Sequence, residues 1–89
     1  MDETTNIPSP AREDEKAEAV VLGQLLALHP AQVVLGELVR EIAGSHADFV
    51  AYDSVDRAVD RLDAAGLLHR SGELILPSRA ALRFYELFD

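Results

Sequence analysis

The sequence predicts a small α+β domain in which helices surround a β-hairpin. Two observations support this prediction. Apolar residues recur at helical spacing in several segments, and Pro or Gly separates these segments. Near the C-terminus, two short apolar segments flank a turn that contains glycine. The predicted order is helix, short strand, helix, helix, β-hairpin and C-terminal helix.

Length and composition indicate one domain. The chain has 89 residues and no cysteine, which excludes disulfides and thiolate zinc sites and fits a cytoplasmic location. Residues 1–12 are polar and contain Pro8 and Pro10, so we expect a disordered acidic tail before a folded domain over 13–89. No apolar segment approaches the roughly 18 residues of a transmembrane helix, and the acidic N-terminus is unlike a signal peptide.

The protein is acidic, with 8 basic and 16 acidic residues and a formal net charge of −8. Such a surface repels phosphate on average and disfavours non-specific coating of nucleic acid. The charge is unevenly distributed, because residues 1–53 hold three basic and ten acidic residues, whereas residues 54–89 hold five arginines and six acidic residues. The C-terminal part is therefore nearly neutral and contains most of the arginine.

Helix signals define the first half of the chain. A first helix is expected to start within residues 11–14, where acidic side chains suit a helix N-terminus, and to end at His29–Pro30. The β-branched segment Gln32–Val34 predicts a short strand. A second helix follows over residues 35–43, with Gly44 as its C-terminal stop.

A third helix is predicted over residues 53–65, with Gly66 positioned to end it. Between the second and third helices, residues 45–53 read as a nine-residue connection. Its apolar side chains, Phe49 and Val50, are expected to enter the core.

The hairpin is predicted from Leu67–Arg70 and Glu73–Leu76, which flank Ser71–Gly72 as a tight turn. Ser78 is a favourable N-cap for a final helix over residues 79–87.

The third helix divides its surface into three stripes at about 100° per residue. An apolar stripe faces the core and consists of Val55, Ala58, Val59 and Leu62. The arginine edge consists of Ser54, Arg57 and Arg61. The aspartate edge consists of Asp53, Asp56, Asp60 and Asp63. The two charged edges therefore need not face the same partner.

The stretch DRLDAAGLLHRSGELIL, in which a helix ends in AAGLL before a basic residue, a small turn and an apolar strand, resembles the winged helix-turn-helix family. The stretch VVLGELVREI resembles the preceding strand and second helix of that family. The resemblance covers about residues 15–77 and implies a winged helix fold in which the hairpin is the wing. Such domains bind DNA, RNA or proteins. The nine-residue connection departs from the tight turn of the simplest members.

The resemblance implies a small DNA-binding protein that acts in transcription regulation, with double-stranded DNA as its partner. Its third helix would lie in the major groove, where Arg57 and Arg61 would read bases. Ser54 and Tyr52 would contact the DNA backbone, and Arg70 would anchor the wing. A bidentate arginine–guanine pair discriminates by roughly 1–3 kcal/mol.

The same charges also allow a purely intramolecular interpretation. Asp53 and Asp60 lie one turn from Arg57 on either side, and such pairs stabilise a helix by roughly 0.2–0.5 kcal/mol. Arg70 would face Glu73 across the turn. The alternative function is therefore an acidic protein–protein interaction module or complex subunit, which binds through its acidic surface or its last helix.

The last helix is rich in aromatic residues, which are enriched at protein interfaces. Only part of this set can face its own core, so we expect a homodimer. The expected interface residues are Leu82, Tyr85 and Phe88.

Catalytic patterns are weak in this sequence. His29, His46 and His69 are scattered and read as surface residues, and the five glycines form no phosphate-binding loop. We therefore predict no enzyme activity, no cofactor and no metal site.

Overall fold

The computed structural model describes residues 10–88, and within them the fold is α+β, with four helices and a three-stranded antiparallel sheet. The elements are α1 (Pro10–Leu28), β1 (Val33–Val34), α2 (Leu35–Ala43), α3 (Phe49–Ala64), β2 (Leu68–Ser71), β3 (Leu74–Pro77) and α4 (Arg79–Glu86). The predicted element order is confirmed.

The first helix begins at Pro10, slightly earlier than predicted. Proline suits the first position of a helix, because the amide hydrogen that it lacks would have no partner there. Residues 10–12 therefore belong to α1 rather than to the predicted tail, whose remaining residues 1–9 lie outside the described part of the chain.

The sheet has the strand order β1-β3-β2, so β3 lies in the centre. The hairpin turn is one residue further along than predicted, because Ser71 pairs with Leu74 and leaves Gly72–Glu73 as the turn. Gly72 has a φ of 61° and is the first turn residue, where a two-residue hairpin favours glycine. In this register Arg70 lies opposite Ile75, so the predicted pairing of Arg70 with Glu73 was wrong.

The third helix begins at Phe49, four residues earlier than predicted. Asp48 is its N-cap, and the Asp48 carboxylate accepts a hydrogen bond from the Ala51 amide at 2.9 Å. The connection from α2 is therefore residues 44–48, and the predicted nine-residue connection was wrong.

Phe49 and Val50 do not enter the core. Their residue surfaces are 80% and 72% exposed, respectively. The physical reason is the early helix start, which places these residues about 120° and about 140° around the helix axis from Val55. They form the first turn of α3 and point away from the apolar stripe.

The core lies between the sheet and the first three helices. All four residues of the predicted apolar stripe on α3 are buried, which confirms that prediction. The other buried apolar residues of the core are Val21, Leu25, Val33, Leu35, Leu38, Val39, Leu68 and Ile75. Two glycines with positive φ, Gly44 and Gly66, follow α2 and α3 as predicted.

The last helix packs at the margin of this core. The Ser78 hydroxyl accepts a hydrogen bond from the Ala81 amide at 3.1 Å, which confirms Ser78 as the N-cap. Ala81 is the buried residue of α4, and the element that α4 contacts most is α1. Among residues 10–88, no helix has the length and apolar character that crossing a membrane requires.

Candidate interaction surfaces

The arginine edge of α3 lies against acidic residues of α1. The Arg61 guanidinium is 3.0 Å from an Asp14 carboxylate oxygen and 3.7 Å from a Glu18 carboxylate oxygen. Arg57 is 3.7 Å from Asp14 and 3.2 Å from Asp53 on its own helix. The arginine edge, for which the resemblance implies DNA contacts, therefore joins α3 to α1 through ion pairs.

This ion-pair cluster carries a net negative charge, because three carboxylates surround the guanidinium groups of Arg57 and Arg61. The side chains of Arg57 and Arg61 remain 55% and 50% exposed, so water screens the pairs. Exposed pairs of this kind contribute about 0–1 kcal/mol each. The contacts are therefore weak individually, but they place carboxylates where a phosphate would have to bind.

Arg70 of the hairpin folds back onto the aspartate edge of α3. Its Nη1 atom is 2.8 Å from a carboxylate oxygen of Asp56 and 2.8 Å from one of Asp60. Its Nε atom donates a hydrogen bond to the Gly72 carbonyl oxygen at 3.3 Å. The hydrogen bond to Asp56 is the largest influence on the pKa of Arg70, which is raised although burial opposes the shift. Only 21% of the Arg70 side chain is exposed.

The two remaining residues assigned to DNA lie elsewhere on the helix. Ser54 is half-buried and lines a cleft of about 240 Å³ that α1, α2 and α3 form together. Tyr52 is 37% exposed. The five residues with a predicted DNA role therefore do not form one free cationic surface, since Arg57 and Arg61 face α1 while Arg70 faces the aspartate edge.

An exposed apolar group at the start of α3 was not anticipated. We call Phe49 and Val50 the α3 tip. Most of the surface of both residues is accessible, although both are large apolar side chains. The sequence does contain a signal for it, because Asp48 directly precedes a helix-compatible segment and is a favourable N-cap.

A second exposed apolar group lies on the last helix and the turn that follows it. The α4 aromatic surface consists of Phe84, Tyr85, Leu87 and Phe88, which are 62%, 42%, 64% and 73% exposed. The Phe84 and Phe88 rings meet edge to face with centroids 4.8 Å apart. Of the residues with a predicted dimer role, Tyr85 and Phe88 are accessible, whereas Leu82 is partly covered.

The histidines do not form a site in this fold. His29, His46 and His69 are all exposed. Across residues 10–88, no three His, Asp or Glu side chains are grouped so that they could hold a metal ion.

Comparison with protein-family models, curated proteins and solved structures gave no match to this chain. Its function must therefore be argued from its surfaces.

Proposed function

We propose that this protein is a protein–protein interaction module with a winged helix architecture, which self-associates through α4. One observation carries this proposal. The three arginines that would contact DNA are held by a larger number of carboxylates, while large apolar side chains remain exposed on α3 and α4. A surface of this kind suits a protein partner better than a phosphate backbone.

The winged helix assignment is supported by the element order and the sheet. A two-residue hairpin follows α3 directly, and the short strand β1 pairs with β3 of that hairpin. Contacts between α3 and β2 place the hairpin beside the third helix. This arrangement is compatible with the resemblance in the sequence, and winged helix domains include protein-binding members.

The charge balance on α3 disfavours a DNA partner. The helix itself contains four aspartates and two arginines. Asp14 and Glu18 of α1 add two carboxylates beside those arginines. Because the affinity of non-specific DNA binding comes from cationic contacts with phosphates, this surface lacks its main source of affinity.

Self-association is supported by the incomplete packing of α4. Its inner side packs through Ala81, whereas the α4 aromatic surface remains accessible. Arg83 and Glu86 border this surface and pair within one helix at 3.4 Å. In an antiparallel pair of α4 helices, Arg83 of one copy can pair with Glu86 of the other copy, so the charges of the two helices complement each other.

Sequence-specific DNA binding is the second candidate function, and it follows from the resemblance. One structural observation favours it, since Arg57 and Arg61 keep half of their side-chain surface exposed. A DNA phosphate or guanine could then displace Asp14 and Glu18. On this hypothesis Arg57→Ala abolishes specific binding without unfolding the domain.

The deciding experiment is an NMR amide-shift titration with a mixed-sequence DNA duplex at low salt, repeated at higher salt. We expect no cluster of shifts on α3. Shifts at Ser54, Arg57, Arg61 and Arg70 that fade with salt would overturn the proposal in favour of DNA binding. Sedimentation velocity over a range of protein concentrations tests self-association in parallel, and a single monomeric species throughout would overturn that part.

A further inference from the structure

We infer that the partner of this module docks on the outer face of α3 and presents a basic segment with apolar side chains. The inference rests on the proposed interaction function and names the surface and the chemistry of the partner. The outer face of α3 comprises the α3 tip together with the acidic side chains around it.

The α3 tip supplies the apolar part of this surface. Phe49 and Val50 are adjacent in sequence and together expose more apolar surface than an isolated surface residue does. They are fixed to the first turn of a helix that Asp48 caps, so little conformational freedom is lost on binding. An aromatic side chain presented rigidly in this way is suited to act as an interface anchor.

The cleft beside the tip extends the apolar surface. Val50 lies one helical turn before Ser54, which lines the cleft of about 240 Å³. Most of the other lining residues are apolar, among them Val20 of α1 and Ile42 of α2. Ala51, which follows Val50, also lines the cleft, whereas Phe49 and Val50 do not, and the charged residues of the lining are Glu13 and Lys16.

Acidic side chains surround the α3 tip and continue along the helix. The carboxylates nearest the tip are Asp48, which is exposed, and Asp53, which pairs with Arg57 and has 47% of its side chain exposed. Asp60 follows with 65% of its side chain exposed, although it pairs with Arg70. Asp63 is exposed further along α3, and Glu73 is exposed in the hairpin turn. Positive charges on a partner would complement this field and accelerate association.

The same charges argue against other occupants of this face. A second copy that docked through the same face would bring the same aspartates against these. Nucleic acid is likewise repelled. A cationic amphipathic helix or strand remains as the chemistry that satisfies both the apolar tip and the carboxylates.

The test is a selection from a displayed library of random peptides about four helical turns long, against the full chain at near-physiological salt. Enriched peptides are then measured against two double variants. Phe49→Ala with Val50→Ala removes the α3 tip, whereas Phe84→Ala with Leu87→Ala is the matched control, because these side chains are similarly exposed on the α4 aromatic surface. Thermal unfolding of both variants establishes that each is folded.

We expect the enriched peptides to be basic and to contain apolar residues at helical spacing. Their affinity should fall by about tenfold or more for the tip variant and change little for the control variant. Asp53→Asn with Asp60→Asn should lower the affinity and weaken its salt dependence.

The outcomes separate the inference from the proposed function. The inference would be overturned by peptides whose affinity is unchanged for the tip variant but falls for the control variant. It would also be overturned by enriched peptides that carry no positive charge. Either outcome would leave the proposed function standing. Failure to enrich any peptide, together with salt-sensitive shifts on α3 in the duplex titration, would overturn both. Failure to enrich any peptide without such shifts would overturn the inference alone, if sedimentation shows self-association.

Discussion

Arg61 and Asp14 form an ion pair of 3.0 Å that joins the third helix to the first. The two residues are far apart in the chain, and nothing in the local spacing connects them. Their contact converts the edge of α3 that resembles a DNA-reading surface into part of a helix–helix contact.

Removal of the α1 carboxylates that pair with the arginine edge should give the protein affinity for DNA. Asp14→Asn with Glu18→Gln removes both α1 carboxylates that contact Arg57 and Arg61. We expect weak, salt-sensitive binding of a mixed-sequence duplex to appear at low salt, because Arg61 loses both of its carboxylate partners and Arg57 keeps only Asp53. Fluorescence anisotropy of a labelled duplex measures this gain.

The matched control for this variant is Glu13→Gln with Glu15→Gln, which changes the net charge equally on the same helix. Both of these glutamates are exposed. An equal gain in DNA affinity from the control would show that total charge matters rather than the specific ion pairs. The free energy of unfolding should fall by about 1 kcal/mol or less in the first variant, since the pairs are exposed.

The hairpin should be held to α3 by Arg70. We expect Arg70→Ala to lower the free energy of unfolding by about 1 kcal/mol, because it removes a shared, partly shielded contact with Asp56 and Asp60. Urea unfolding followed by circular dichroism measures the change. Arg83→Ala is the control, since the pair of Arg83 with Glu86 lies within one helix and is largely exposed. Equal losses in both variants would contradict a special role for Arg70.

The early start of α3 should depend on Asp48. Asp48→Ala should lower the free energy of unfolding by about 1 kcal/mol, because the Ala51 amide loses its acceptor. Asp48→Ser should retain most of the stability, since serine also caps helices well. Amide hydrogen exchange at Ala51 checks the local effect. Unchanged protection in the alanine variant would contradict the capping role.

Self-association should depend on the α4 aromatic surface. Phe84→Glu with Phe88→Glu places charges where two copies would meet, so we expect self-association, measured by sedimentation velocity, to be lost in this variant. Phe49→Glu is the control, because Phe49 is also a largely exposed phenylalanine but lies on another helix. If only the Phe49 variant dissociates, the interface lies on α3 instead of α4.

Local patterns predicted the parts of the fold that depend on neighbouring residues. Val55, Val59 and Leu62 recur at helical spacing and are buried together, and Gly66 ends the helix that carries them. Ser78 was recognisable as a cap because it directly precedes a helical segment. These features depend on backbone geometry within a few residues, which the sequence encodes directly.

Two local errors arose where a pattern had more than one solution. The apolar character of Phe49 and Val50 predicts a core position, but Asp48 caps an earlier helix start that leaves both residues exposed. The hairpin turn was centred on Ser71–Gly72, whereas the strand register makes Gly72 the first turn residue. Pairing with the central strand β3 decided the second case, because the observed register sets Arg70 opposite Ile75 instead of Glu73, a two-residue shift that keeps each side chain on its own face and that no alternation pattern excludes.

The sequence by itself determined which elements form, which stripe of α3 is buried, and that arginines and aspartates occupy opposite edges of that helix. Only the tertiary structure decided what those edges meet. Helix periodicity sets the direction of a side chain around its own axis, but it does not specify which element packs on that side. Packing of α1 beside α3 brings Asp14 to Arg61, and the fold of the hairpin brings Arg70 to Asp60. Because these contacts join residues that are distant in the chain, no local pattern encodes them.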